Sequence, residues 1–199
     1  SPLIQKITPN SNGLYTDNQR MTISTMKGTN DDIIHFPFTL RENYTFCYIA
    51  RYTGNNNKRI FNSKNDRTYW CFNNDATCTS MYNNQIYSTT INQISDNDYW
   101  IIGIETGDSM RYNGMDCTNY IYDNIYSIDN SYEFVNTEDT NSITINGGVD
   151  DNNKGSWEIG ELIFYNKKLS ESEKIEIEEY FANRYYHISF TSIVQTIDD

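Results

Sequence analysis

Short apolar runs that alternate with polar residues recur along most of the chain, and Asn, Asp, Gly or Ser bounds most of them. This period of two is typical of half-buried β-strands separated by turns. Within one such run, Tyr44, Phe46 and Tyr48 fall on one face, while Cys47 and Ile49 fall on the other. The pattern predicts strands at residues 33–38, 44–52, 59–62, 68–72, 85–89, 99–105, 109–112, 120–125, 142–146 and 157–165. Many short strands with turns between them are typical of an all-β sandwich or barrel.

One segment, residues 170–183, departs from this pattern and predicts a helix. Ser170 followed by Glu173 forms a capping box, and Leu169 precedes the capping serine. An apolar stripe at helical spacing is expected to pack against a sheet: Ile177, Tyr180 and Phe181. Three glutamates are interpreted as the solvated face of this helix: Glu176, Glu178 and Glu179.

The length and charge of the chain limit its class and partners. A chain of 199 residues fits one domain, 1–199, because β-sandwiches commonly reach about 200–250 residues as one unit. The formal net charge is −12, whereas a nucleic-acid binder needs a basic face that displaces phosphate counterions. Nucleic acid and an anionic membrane surface are therefore not expected as partners, while neutral polar ligands such as sugars remain open. Membrane insertion is not expected either, since no run of about 18 apolar residues is present.

The cysteines bear on the compartment in which the protein works. Cys47, Cys71, Cys78 and Cys117 include no CxxC pair, and with two histidines in the chain a zinc site is not expected. An even number fits two disulfides, Cys71–Cys78 across a polar turn and then Cys47–Cys117, and four reduced buried cysteines are the alternative. A glycosylation triplet at 43–45 supports a secretory route. The chain opens without a secretory leader, which indicates a processed fragment. Its richness in Asn, Ile and Tyr, together with the missing leader, fits a virion-surface origin. The expected location is therefore extracellular or on a virion surface.

The C-terminal third resembles a known family. The stretch GSWEIGELIFYNKKLS at 155–170, followed by a helix ending YFANRY, resembles the end of laminin-G-like domains of the concanavalin A-like lectin and glucanase superfamily. Weaker matches precede it in the family's order: 36–51, YWI at 99–101, YNG at 112–114 and SITINGG at 142–148. The resemblance covers roughly residues 30–186 and implies a two-sheet antiparallel jelly roll with one short C-terminal helix. Residues 187–199 form a C-terminal extension, predicted to pair with the N-terminal strand or with a neighbouring subunit in a homo-oligomer.

Catalysis is not expected from the carboxylates of this chain. Glucanases of the superfamily place two glutamates and an aspartate on one face of a strand, and retaining hydrolysis needs two carboxyls about 5–5.5 Å apart. The one candidate pair, Glu158 and Glu161, is three residues apart, so the two side chains are expected to point in opposite directions along a strand. Gly160 stands where the family has its middle acid. The sequence therefore predicts that the protein is not an enzyme.

The loops contain more residues that are suited to binding a ligand. Sugars bind through an aromatic ring on their apolar face, with Asn and Asp hydrogen-bonding their hydroxyls. Eight residues are candidates for such contacts: Tyr69, Trp70, Tyr82, Asn83, Asp96, Tyr112, Asn113 and Asp116. Trp100 and Trp157 are interpreted as core residues instead. Calcium is the one candidate cofactor, since Asp150, Asp151 and Asn152 supply hard oxygen ligands.

The leading hypothesis is a non-catalytic surface module that recognises a glycan or a protein receptor, such as the head of a viral fibre or adhesin. The first alternative is a structural, capsid-associated assembly domain without its own ligand. The second is a divergent glycoside hydrolase. Fold alone does not choose among them.

Overall fold

A computed structural model of the chain describes residues 3–7, 23–40, 43–54, 58–64, 69–70, 79–82, 85–88, 100–116, 142–148 and 151–186. Within these residues the strands form two antiparallel sheets. The predicted all-β, two-sheet antiparallel sandwich of the jelly-roll type is therefore confirmed.

The larger sheet has seven strands in the described part of the chain, in the order β1-β2-β13-β4-β9-β10-β11. Their bounds are β1 Leu3–Ile7, β2 Ile23–Gly28, β4 Thr45–Tyr52, β9 Ile101–Glu105, β10 Met110–Tyr112, β11 Met115–Asp116 and β13 Trp157–Tyr165. The long pairing of β13 with β4 lies at the centre of this sheet. β13, from the C-terminal part of the chain, thus lies between β2 and β4, which come from its N-terminal part.

The smaller sheet has six described strands, in the order β3-β12-β5-β6-β7-β8. Their bounds are β3 Ile34–Thr39, β5 Phe61–Asn62, β6 Tyr69–Trp70, β7 Thr79–Tyr82, β8 Gln85–Ser88 and β12 Ser142–Ile145. Proline lacks the N–H that a central strand donates, so Pro37 fits the position of β3 at the end of this order.

Most predicted strands coincide with observed ones to within a few residues. The predicted strand at 120–125 lies outside the described residues. Four observed strands, β1, β2, β7 and β11, were not predicted. The two-residue turn between β10 and β11 uses Asn113 and Gly114 at φ 46° and 85°, the left-handed region that such a hairpin needs.

Aromatic side chains fill the space between the two sheets. Tyr44, Phe46 and Tyr48 of the larger sheet are buried with Phe61 and Trp70 of the smaller one. Phe46 stands edge-on to Phe61 and Trp70, at centroid distances of 5.2 and 5.5 Å. Aromatic pairs prefer this edge-to-face arrangement, so a chain of modest hydrophobic content still builds a dense interior.

A second apolar cluster lies on the opposite face of the larger sheet, hereafter its outer face. Cys47 and Ile49 of β4 are buried there with Ile102, Ile104 and Phe181. The alternation predicted for β4 is therefore confirmed on both faces. The larger sheet is covered on one side by the smaller sheet and on the other by a helix.

That helix, α1, spans Glu171–Phe181 and continues into a π-helical turn at Ala182–Tyr186. The predicted capping box is present, since the Glu173 N–H donates to Ser170 Oγ and the Ser170 N–H donates to Glu173 Oε2 at 2.7 Å. Thr45 Oγ1 also accepts the buried Leu169 N–H at 2.9 Å, which ties the start of the helix to β4.

The buried side of α1 contains Ile177 and Phe181 as predicted, but Tyr180 departs from the prediction and two charged residues are buried as well. Tyr180 is 40% exposed, whereas Lys174 and Glu178 are 4% and 2% exposed. The interpretation of Glu178 as solvated is therefore wrong, although its neighbour Glu176 is exposed as expected. The reason is Arg111, which β10 presents on the outer face directly beneath the helix and which pairs with Glu178.

Candidate functional site

Glu158 and Glu161 lie on the same, outer face of β13, which corrects the prediction that they point in opposite directions. The pairing of β13 with β4 slips between Ile159 and Glu161, so Gly160 is an extra residue that forms a β-bulge. Side chains on both sides of the bulge reach the inner core: Trp157, Ile159, Leu162 and Phe164. Two side chains after the bulge reach the outer cluster: Ile163 and Tyr165. The bulge thus reverses the alternation, and both glutamates share the face that carries α1.

Four residues form a row across adjacent positions of the outer face. Glu158 is the register partner of Lys27 on one side and of Arg51 on the other, and Trp100 directly precedes β9 beside Arg51. Arg51 donates from Nε to Glu158 Oε2 at 2.9 Å, and its Nη2 lies 2.8 Å from the same oxygen. The Arg51 guanidinium carbon lies 4.9 Å from the centre of the Trp100 ring. Arg51 is therefore held between a carboxylate and an aromatic ring.

The Glu158 carboxylate is well satisfied in this row. It is 2% exposed, and Thr25 donates to its Oε1 at 2.7 Å. Lys27 is half-buried, and none of the described residues forms an ion pair with it. The row therefore holds two cationic side chains and one carboxylate, and the carboxylate is already paired with Arg51.

A second group surrounds Glu161, where α1 approaches β13. The Tyr180 hydroxyl donates to Glu161, with its oxygen 3.0 and 3.1 Å from the two carboxylate oxygens. Tyr185 donates to Glu161 Oε2 at 3.3 Å, and Arg184 Nε lies 3.3 Å from the same atom. Burial, followed by the hydrogen bond and charge of Glu161, raises the pKa of the Tyr180 phenol. Both phenols are thus donors to Glu161, and the exposed Tyr180 ring is fixed in position.

Gly160 connects the two groups. A Cβ atom at this position would lie 2.7 Å from Tyr185 Cε1 and 2.9 Å from Ile49 Cγ2. The Tyr185 ring therefore rests on the bulge between Glu158 and Glu161. We call the resulting surface the outer shelf, defined by Lys27, Arg51, Trp100, Glu158, Glu161 and Tyr180.

None of the eight binding residues predicted from the sequence belongs to the outer shelf. Trp70 is 1% exposed and donates from Nε1 to the Tyr44 hydroxyl at 3.1 Å, so it is a core residue and corrects the prediction. Tyr69 and Tyr82 lie in β6 and β7 of the smaller sheet, and their side chains are outside the described part of the chain. Asn83 and Asp96 also lie outside the described residues.

The remaining candidates lie at the other end of the larger sheet. Tyr112 is fully buried and donates to Glu105 at 2.7 Å, which corrects its assignment to a binding surface. Asn113 Oδ1 accepts the Ile102 N–H at 2.8 Å, so this side chain stabilises the β10–β11 turn. Asp116 is exposed in β11. The described candidates are therefore divided between the two sheets, and Trp70 and Tyr112 both lie in the interior between them.

The calcium candidates are only partly described. Asp151 and Asn152 are exposed in a 3₁₀ turn at Asp151–Asn153, and Asp151 forms an ion pair with Lys154. Asp150 lies outside the described residues. Within the described ranges no three His, Cys, Asp or Glu side chains are grouped as a metal site would require. Calcium binding at this turn stays a prediction.

Cys47 carries a free thiol in the structure, which differs from the predicted Cys47–Cys117 disulfide. The side chain points into the closed cluster beneath α1, beside Ile49 and Phe181. Burial raises the pKa of this thiol well above its ordinary value. Cys71, Cys78 and Cys117 lie outside the described residues, so the Cys71–Cys78 pair stays a prediction.

Sequence reasoning missed the outer shelf for two reasons. Lys27 precedes the first predicted strand, and Trp100 was interpreted as core although it is half-buried. The available signal was Gly160, because a glycine inside a strand pattern often marks a bulge. Applied to β13, that rule would have brought Glu158 and Glu161 onto one face.

The fold defines an all-β, two-sheet jelly-roll sandwich with one helix on the outer face of the larger sheet. Within the described residues, no helix combines the length and apolar character needed to cross a bilayer. No protein-family model matches the chain, and no characterised protein matches it in sequence.

Two solved structures resemble it distantly. A native heptameric SAP-like pentraxin from Limulus polyphemus is 17% identical, with a TM-score of 0.42 over 71% of this chain and 73% of the pentraxin. A Trypanosoma rangeli sialidase mutant that displays trans-sialidase activity is 10% identical, with a TM-score of 0.41. The latter similarity covers 78% of this chain but 27% of the sialidase, so the chain spans about a quarter of that protein.

Proposed function

We propose that the protein is a non-catalytic recognition module that binds a glycan or a protein receptor through the outer shelf. The observation that carries this proposal is Tyr180, which is 40% exposed while its hydroxyl is held by Glu161 at 3.0 Å. An exposed ring that is already fixed loses little conformational freedom when a ligand packs on it. Aromatic anchors of this kind dominate the energetics of many binding surfaces.

The polar groups around the ring suit the same role. Glu161, 26% exposed, accepts from the Tyr180 hydroxyl, and Arg184, 52% exposed, has its guanidinium carbon 5.9 Å from the centre of the Tyr180 ring. Trp100 supplies a second, half-buried ring. A few oriented polar groups beside aromatic surface are typical of ligand sites. The setting expected for such a module is the outside of a cell or of a virion.

The non-catalytic part of the proposal rests on the partners of the two glutamates. Glu158 is buried and paired with Arg51 and Thr25. Glu161 accepts from Tyr180 and Tyr185. A retaining hydrolase needs one carboxyl free to attack and another free to donate a proton. Turnover of β-glucans that disappears on Glu158→Gln or Glu161→Gln would overturn this part.

A glycan array followed by calorimetry tests the binding role. We expect Tyr180→Ala to weaken binding of the selected glycan by about tenfold or more, because the stacking surface is removed. Ile175→Ala is the matched control, since Ile175 is 41% exposed on the same helix but lies outside the outer shelf. Equal effects of the two substitutions, or no binding to any glycan or receptor, would contradict the proposal.

Assembly is the second candidate function, and the free edge of the smaller sheet favours it. β3 ends the described strand order and leaves Ile33 and Phe38 43% and 39% exposed. Exposed edges of this kind promote pairing between chains. Light scattering on the protein and on Phe38→Ser would test it, with a concentration-dependent oligomer lost in the variant as the supporting result.

A further inference from the structure

We infer that the outer shelf selects an acidic saccharide, one whose carboxylate or sulfate groups are read by Lys27 and Arg51. This inference rests on the proposed function and specifies the ligand class of the same site. The formal net charge of the whole chain is −12. The row of Lys27, Glu158, Arg51 and Trp100 departs from this acidic net charge. Lys27 and Arg51 stand on either side of Glu158, which is the one carboxylate of the row.

The burial of Glu158 decides the sign of the field above the row. Glu158 is 2% exposed and paired with Arg51, whereas the Arg51 side chain is 19% exposed and Lys27 is half-buried. A buried, paired carboxylate contributes little at the surface compared with a cation that no neighbouring acid neutralises. Among the described residues, none forms an ion pair with Lys27. An anionic group placed above the row would therefore meet an excess of positive charge, since Lys27 and Arg51 outnumber the one carboxylate, Glu158.

Arg51 is also prepared for such a group. Its guanidinium is fixed by Glu158 on one edge and by the Trp100 ring on one face. A guanidinium whose position is already set loses less side-chain entropy for each hydrogen bond that it forms with a ligand. Charge-assisted hydrogen bonds to carboxylate or sulfate oxygens are also stronger than neutral ones.

The rest of the shelf favours a saccharide over an acidic peptide. Tyr180 offers flat apolar surface, which the ring of a pyranose can cover. Glu161 is 26% exposed and can accept hydrogen bonds from hydroxyl groups. A polyglutamate chain carries neither hydroxyls that could donate to Glu161 nor an apolar ring face that could pack on Tyr180.

Calorimetry with four probes tests this inference: a glucuronate-containing tetrasaccharide, its O-sulfated counterpart, a neutral tetrasaccharide of equal length and a tetraglutamate peptide. We expect both acidic saccharides to bind about tenfold more tightly than the neutral one. Their advantage should shrink between about 50 and about 300 mM salt, because the exposed cations are screened. The ratio of the dissociation constants of the two acidic saccharides separates carboxylate from sulfate recognition.

Lys27→Gln is the informative substitution, since it removes a charge without removing an ion pair within the described residues. We expect it to weaken binding of the acidic saccharides by about tenfold and to affect the neutral one much less. Lys58→Gln is the matched control, because Lys58 is also half-buried but precedes β5 of the other sheet. Arg51 is less suitable, because its removal would leave Glu158 buried without its cation.

Three outcomes would overturn the inference: equal binding of acidic and neutral saccharides, equal effects of Lys27→Gln and Lys58→Gln, or tetraglutamate binding as tightly as the acidic saccharides. If acidic and neutral saccharides bind equally and both are lost on Tyr180→Ala, the recognition role stands and only the charge selection fails. If no probe binds and the glycan array is also blank, both proposals fall.

Discussion

The guanidinium of Arg111 lies against the buried carboxylate of Glu178, with Nε and Nη2 each 3.0 Å from Oε2. Glu178 Oε1 also accepts the Gly114 N–H at 3.2 Å, and Arg111 donates to the Gly114 carbonyl at 2.9 Å. Burial raises the pKa of Glu178, although Arg111 acts in the opposite direction. The helix is therefore fastened to the β10–β11 hairpin by charged groups as well as by apolar packing.

Glu178→Ala should lower the free energy of unfolding by about 3–5 kcal/mol, because it leaves the largely buried Arg111 without its main partner. Urea unfolding measures this loss. Glu176→Ala on the exposed side of α1 is the control and should stay within about 0.5 kcal/mol of the parent. The double substitution Arg111→Met with Glu178→Leu should recover most of the loss. Equal costs for Glu178→Ala and Glu176→Ala would contradict the role assigned to the pair.

The lowered pKa of Glu173 predicts that acid destabilises the start of α1. The hydrogen bond from Lys167, followed by that from the Ser170 backbone, lowers the pKa of Glu173 from 4.5 to about 2. A carboxyl with a lowered pKa in the folded state stabilises that state above its unfolded pKa and loses the effect as the pH falls towards the folded value. Stability should therefore decline between about pH 4.5 and about pH 2 through this group.

The measurement is the pH dependence of unfolding for the parent and for Glu173→Gln. The difference between the two should be largest above pH 4.5 and should vanish near pH 2. Glu176→Gln serves as the control, since Glu176 is exposed and lies outside the capping box. A parent and a Glu173→Gln variant with parallel pH profiles would show that the cap does not titrate in this range.

Local patterns predicted the parts of the fold that depend on neighbours in the chain. The alternation of Tyr44, Phe46 and Tyr48 was correct because the side-chain period of a strand is fixed by its backbone. The capping box of Ser170 and Glu173 was correct because both partners lie within one helical turn. Such signals need no information about the tertiary fold.

Contacts between distant residues were not accessible in the same way. Glu178 was assigned to the solvent because its partner, Arg111, is 67 residues away in the sequence. Trp70 was proposed to bind a ligand because a polar turn follows it, yet Tyr44 on the other sheet satisfies its indole. The outer shelf depends on the order of β2, β13 and β4, which a single sequence does not reveal.

Gly160→Ala should destabilise the protein by about 1–3 kcal/mol, because the added methyl group would lie 2.7 Å from Tyr185 Cε1. The ring of Tyr185 would have to move from the bulge, and ligand binding on the outer shelf should weaken with it. Gly54→Ala is the control, since among the described residues its Cβ would meet just the small Ser156 side chain, at 3.2 Å. Chemical unfolding and glycan binding measured on both variants test the point, and equal losses of stability would contradict it.

Glu105 is a carboxylate within the sandwich interior, where two phenol hydroxyls donate to it. Glu105 is 2% exposed, and its Oε1 accepts the Tyr48 hydroxyl at 2.6 Å and the Tyr112 hydroxyl at 2.7 Å. Tyr48→Phe and Tyr112→Phe should each cost about 1.5–3 kcal/mol in urea unfolding, because each removes a hydrogen bond to a buried charged group. The double substitution should cost more than the sum, since both phenols serve one oxygen. Tyr180→Phe is the control, because it removes the same kind of bond at an exposed site and should cost under about 1 kcal/mol. Equal losses of stability for Tyr48→Phe, Tyr112→Phe and Tyr180→Phe would show that burial does not strengthen the interior bonds.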